Sequence, residues 1–86
     1  MEKKLNEVSE GFWEVSRLDH AHPLYFRMLS LGFSKSAKVQ LLGSSHQIKI
    51  RLRQSIMLLR KEEASAIWVK PVTHTTQVES KTQLDA

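Results

Sequence analysis

Between Gln47 and Arg53 the chain reads QIKIRLR, a strict alternation of polar and apolar side chains. At period two, Ile48, Ile50 and Leu52 share one face of a strand, and Lys49, Arg51 and Arg53 share the other. A strand divided in this way needs partners to cover its dry side, and the rest of the chain supplies them in short pieces. FWEVSRL (12–18) alternates Trp13, Val15 and Arg17 against Phe12, Glu14 and Ser16, and AKVQLL (37–42) reads as a second strand. IMLL (56–59) is an apolar run short enough for a buried strand, and AIWV (66–69) gives a last one before Pro71. GSS (43–45) supplies turn residues, and RKEEA (60–64) fits one tight helical turn.

The period changes once, in HPLYFRMLSLGF. Pro23 suits the first position of a helix, and Leu24, Met28 and Leu31 fall on one side at i, i+4 and i+7. Gly32 is placed to end that helix in a left-handed conformation. Five short strands with one helix inserted early predict an all-β fold, a small barrel or sandwich, because closure removes unpaired edges. The expected domain spans residues 11–72. Residues 1–10 are expected to be a peripheral N-terminal segment, and residues 73–86 a flexible C-terminal tail, since THTTQVESKTQLDA has almost no large apolar side chain to offset the entropy of ordering.

The chain has no cysteine, which removes disulfides, thiol nucleophiles and cysteine-ligated metal or iron–sulfur centres. The first residues carry no apolar signal-peptide core, and no run approaches the roughly 18 apolar residues of a membrane span, so a cytoplasmic chain that does not itself cross the membrane is the expectation. Residues 12–72 hold ten Lys and Arg against four Asp and Glu, whereas the ends hold three against five. The basic middle suits an anionic partner: nucleic acid, a membrane surface or an acidic protein face.

The series HPLYFRMLSLGFSKSAKVQLL, followed by IKIRLR and IMLLRKEEASAIWV, resembles the ferrous iron transport protein A (FeoA) family over roughly residues 12–72. Three pieces carry the resemblance: the helix ending in Leu31-Gly32-Phe33, the alternating strand, and Leu59 to Ala64 leading into Ala66 to Val69. The chain departs from the family pattern at Lys35 and Ser36, where many members have a Pro-Gly pair, and at GSSHQ, where many have a longer Pro-Leu-Gly-Asp-Pro hairpin. The resemblance implies an SH3-like β-barrel. It also implies an accessory role in bacterial ferrous iron uptake, binding and modulating the cytoplasmic G-protein part of the membrane transporter FeoB, with recruitment to the inner face of the membrane. Similar domains at the C-terminal end of metal-dependent repressors keep a regulatory reading open.

For catalysis the inventory is poor: no Cys, no G-x-S-x-G and no P-loop, with three glycines in all. Adjacent Glu62 and Glu63 point about 100° apart on a helical turn and form no facing acid–base pair. No enzyme is expected and no cofactor is required. The metal candidate is His20-Ala21-His22, whose imidazoles would share one side of an extended backbone and bind ferrous iron or zinc weakly. Against it stands the use of His22, directly before Pro23, at the start of the helix.

The comb of Lys49, Arg51 and Arg53 lacks interleaved aromatics for stacking bases, so it reads first as the wet face of a barrel strand, and a protein is a better ligand for it than nucleic acid. Phe12, Trp13, Phe33 and Trp68 could line a recognition groove, but in so small a barrel they more often fill the core. Tyr25 and Leu29, at i and i+4, form a second apolar strip on the helix. The expected partner surface combines Tyr25, Arg27 and Leu29 for contact with Arg51, Arg53 and Lys61 for steering toward an acidic face. The alternatives are a nucleic-acid-binding small barrel and a transition-metal-ion-binding sensor domain.

Overall fold

The computed structural model describes residues 2–72; the expected tail, residues 73–86, lies outside the described residues. Six strands form one antiparallel sheet: β1 (Lys3–Lys4), β2 (Gly11–Leu18), β3 (Lys38–Gly43), β4 (Ile48–Leu52), β5 (Ser55–Leu59) and β6 (Ile67–Pro71), in the order β1-β6-β2-β3-β4-β5. A two-turn helix, α1 (Tyr25–Leu31), joins β2 to β3, and a single helical turn, α2 (Lys61–Ala64), joins β5 to β6. The inward side chains of the sheet, Met28 of α1 and Leu5 of the 3-10 turn after β1 make one core cluster. The sheet curls around that core as a small, partly open barrel with β1 and β5 at its two edges.

β4 follows its sequence pattern, with Ile48, Ile50 and Leu52 buried and Lys49 and Arg51 exposed. Its comb is shorter than expected. Strand β4 ends at Leu52, and Arg53 has φ 59° in the two-residue turn that pairs Leu52 with Ser55. Such hairpin turns need a positive φ because only that twist matches the flanking strands. In β2, a bulge between Val15 and Arg17 shifts the register against β6. The extra residue changes the parity of the strand, so Val15 and Leu18 both enter the core while Arg17 turns outward.

The helix matches its pattern at its C-terminal end, but it starts later than expected: Tyr25 is its first residue and Leu24 its N-cap, so Pro23 stands one residue before the cap. Met28 is fully buried with Leu24 and Leu31 half-buried beside it, and Gly32 closes the helix at φ 106° with its N–H donating to the Leu29 carbonyl. A Cβ on Gly32 would lie 3.3 Å from Arg53 Nη1 and 3.4 Å from Leu52 Cδ2, so the C-terminal turn of α1 sits directly against the β4–β5 hairpin.

Two expectations are corrected here. The N-terminal segment is not wholly peripheral: Lys3 and Lys4 pair with Val69 and Trp68 of β6, and Leu5 is fully buried. A strand of two residues is too short to show an alternation, which is why the sequence does not reveal it. The run IMLL is not a buried strand: Ile56 is 51% exposed and Leu58 57%, while Met57 and Leu59 turn inward. β5 is an edge strand in a sheet of one layer, so half of its side chains face outward whatever their polarity.

Candidate functional site

A cleft of about 300 Å³ opens between the end of β2 and the exposed side of α1, lined by Leu18, Tyr25, Leu29 and Phe33, with Arg17 and Lys35 among the polar residues around it. Tyr25 and Leu29 meet there because residues four apart share a helix face. Phe33 is fully buried, Tyr25 half-buried, and Leu29 42% exposed. The Tyr25 ring is fixed between two aromatic neighbours, His20 at 4.7 Å and Phe26 at 5.0 Å between centroids, both edge-to-face. Phe26 is 78% exposed, the largest exposure among the bulky apolar side chains described. The period of the helix, read from its buried side, gave no sign that Phe26 would extend the Tyr25–Leu29 strip.

The other expected contact residues are distributed differently. Arg27 is held by Glu63, its Nε donating to Glu63 Oε2 at 2.8 Å. The second carboxylate oxygen accepts the Arg60 N–H at 2.8 Å, so one nearly buried side chain caps α2 and ties it to α1. The Arg60 N–H, and after it the Arg27 guanidinium, outweigh the opposing effect of burial and hold the Glu63 carboxyl below the ordinary glutamate value of 4.5. Arg27 is therefore a structural partner before it is a contact residue. Only the capping half of this was present in the spacing: a glutamate three residues after Arg60, at the start of a helical turn, is half of a capping box.

Arg51 and Arg53 line a separate groove with Phe12, Lys38, Val39 and Gln40 on the outer face of the sheet, and Lys61 is exposed on α2. The six residues thus do not form one patch around the helix cleft. Three cations are set apart because Arg51 points outward from β4, Arg53 stands in the β4–β5 turn and Lys61 stands on α2.

His20 and His22 are held by different neighbours. His22 Nδ1 accepts the Leu24 N–H at 3.0 Å, which leaves the proton of the neutral ring on Nε2, and Nε2 donates to Ser65 Oγ at 2.9 Å. Ser65 Oγ donates in turn to the Glu62 carbonyl at 2.6 Å. His22 therefore pins the start of α1 to the end of α2, with both ring nitrogens occupied, and His20 packs on Tyr25. Among the described residues there is no group of three or more His, Cys, Asp or Glu side chains placed to hold a metal ion.

The four aromatics divide by strand position. Phe33 is core; Trp13 is half-buried, with its indole N–H donating to the Ser9 carbonyl at 2.9 Å. Trp68, also half-buried, lies between its cross-strand neighbours, with the Arg17 guanidinium 4.7 Å and the Lys4 ammonium 5.5 Å from the ring centre. Phe12 is 67% exposed.

A single-layer sheet of six antiparallel strands curled around one core, with a short helix inserted after its longest strand, defines the class as a small SH3-like barrel. The FeoA domain family model matches residues 3–71, and the chain belongs to the FeoA family. That membership ties it to ferrous iron transport systems, and the family is one of non-catalytic accessory domains. The chain is similar to an iron uptake regulatory protein, FeoA, seen in a crystal structure, at 24% identity over 81% of this chain and 96% of that one, with a TM-score of 0.72. It is likewise similar to a FeoA-like protein from Clostridium acetobutylicum solved by NMR, at 24% identity over 83% and 87% of the two chains, with a TM-score of 0.77.

A manganese-dependent transcriptional repressor in complex with manganese shares the fold at 23% identity and a TM-score of 0.72, over 83% of this chain but 37% of the repressor. No curated protein matches the sequence significantly. No helix among the described residues is long and apolar enough to cross a membrane.

Proposed function

We propose that the protein is a non-enzymatic cytoplasmic accessory protein of ferrous iron uptake that binds and modulates the cytoplasmic G-protein part of the membrane transporter FeoB. The family supplies the process. The observation that carries the contact is the cleft in which Tyr25 and Leu29 stand over the buried ring of Phe33, with exposed Phe26 beside them. A half-buried, ring-braced tyrosine beside a partly exposed leucine has the composition of an interface anchor, because little side-chain entropy remains to be lost on binding. Arg51, Arg53 and Lys61 lie outside the cleft, so their part in this contact is steering toward an acidic face through the field they add to.

Titration of the transporter's cytoplasmic domain against the wild-type chain and a Tyr25→Ala/Leu29→Ala variant tests the assignment. The variant should bind at least about tenfold more weakly through faster dissociation, whereas Arg51→Glu should chiefly slow association at low salt. Equal affinity of the cleft variant and the wild type would remove the cleft from the interface.

A further inference from the structure

The register of the sheet assembles on its outer face a surface that no single segment of the sequence contains. Phe12 of β2 lies opposite Gln40 of β3, Gln40 opposite Arg51 of β4, and Arg51 opposite Ile56 of β5. Directly paired residues point to the same side of a sheet, so these four form one outward row about 14 Å long at about 4.8 Å per strand. In the next row Lys49 lies opposite Leu58. Lys38 and Arg53 complete the groove beside Phe12. Three of the five large hydrophobic side chains exposed among the described residues are therefore on this face, Phe12 at 67%, Ile56 at 51% and Leu58 at 57%. They are interleaved with four cations, Lys38, Lys49, Arg51 and Arg53. Glu14, opposite Lys38 in the register, is the acidic side chain at the margin of this face, and among the described residues none of the four cations is within ion-pair distance of a carboxylate.

We propose that this face docks peripherally on an anionic lipid bilayer, with Phe12, Ile56 and Leu58 entering the headgroup boundary and Lys38, Lys49 and Arg51 meeting lipid phosphates. Charge complementarity selects an anionic partner, and the apolar component selects lipid over nucleic acid. Two of the three protruding side chains are aliphatic and offer nothing to stack on a base, and the row holds a single aromatic. Long cationic side chains beside apolar ones are suited to a lipid boundary, where stems lie in the apolar zone and charged heads remain at the phosphates. This surface is distinct from the Tyr25–Leu29 cleft, so a vesicle assay without transporter reads it alone.

The test is flotation of the full chain with vesicles of phosphatidylcholine, alone or with about one third phosphatidylglycerol, at low salt and at about 0.15 M salt. Binding should require the anionic lipid and weaken as salt rises. Lys49→Glu and Arg51→Glu each change the charge by two units and should each lower partitioning about 25-fold, at about fivefold per charge. Phe12→Ser should lower it about tenfold. Because all three positions are exposed, thermal melting should be unchanged, and Phe12→Trp should be quenched by brominated acyl chains beyond the level set by Trp13 and Trp68. Equal partitioning of the variants, absence of quenching, or tighter binding to a duplex oligonucleotide than to anionic vesicles would overturn the assignment. So would a dimer in sedimentation equilibrium that dissociates on Ile56→Ser/Leu58→Ser, since the apolar face would then be covered by a second copy.

Discussion

β4 and β5 are neighbouring strands of five residues each, joined by a two-residue turn, and they use their hydrophobic side chains in opposite ways. In β4 every apolar side chain is buried and the outward ones are cations, whereas in β5, which has four apolar residues and no charge, Ile56 and Leu58 face outward. The difference lies in what surrounds each strand. β4 is paired on both sides and its inner face lies over the middle of the core. β5 is hydrogen-bonded to β4 alone, and nothing among the described residues covers its outer face. Hydrophobicity decided that β5 would be a strand, but position in the sheet decided how much of it would be buried. An uncharged apolar edge is a surface that proteins ordinarily protect, which is what gives its exposure functional meaning.

The largest effect is expected at the centre of β4. Ile50→Ala should lower stability by about 3 kcal/mol in chemical denaturation, since Ile50 is fully buried and the cavity cannot be filled by solvent. A loss under about 1 kcal/mol would mean that the β4 core is loose. The anchor that follows β5 comes next. Glu63→Gln should cost about 2 kcal/mol at neutral pH by weakening the hydrogen bonds to Arg60 and Arg27.

Its pH dependence is set by sign. The folded carboxyl is held below the ordinary value of 4.5, so its contribution is complete above that value and is lost as the pH falls through the lower folded value. The gap between wild type and Glu63→Gln, followed by urea melts across acidic pH, should therefore close below pH 4.5. A gap that stays constant would show that the carboxylate charge is not what stabilises the α1–α2 contact.

The hairpin turn gives a smaller effect of the opposite sign. Arg53 adopts φ 59°, a conformation that strains an ordinary side chain, so Arg53→Gly should raise stability by about 0.5 kcal/mol, the relief of strain being partly offset by backbone entropy and by loss of the guanidinium from the end of α1. The smallest effect is expected on the edge. Ile56→Thr should change stability by less than about 0.5 kcal/mol, because half of the side chain is already in water. A large loss there, seen as a lowered denaturation midpoint, would show that β5 is covered in solution.

How much of this was legible in the sequence can be followed residue by residue. The alternation around Ile50, the helix period around Met28 and the left-handed stop at Gly32 all report local geometry, and each was readable because one face of a short element is dry. The two-residue strand at Lys3 and Lys4 was not readable, since its existence depends on Val69 and Trp68 far along the chain. At the candidate site, the Tyr25–Leu29 strip followed from spacing. The engagement of Arg27 by Glu63 and of His22 by Ser65 joins residues 36 and 43 positions apart, and no local pattern announces such pairs.

By itself the sequence determined a small β-rich domain with one helix, a basic middle and none of the chemistry that cysteine supplies, because composition and short-range periodicity act through the backbone of each segment alone. Tertiary structure alone decided which side chains share a surface. It divided the expected contact residues among a helix cleft, a sheet face and α2, took Arg27 and His22 into internal hydrogen bonds, and aligned Phe12, Arg51 and Ile56 in one row. The physical reason is that strand register and edge position are set by pairing across the whole sheet, and a side chain's neighbours across strands are chosen there and not along the chain.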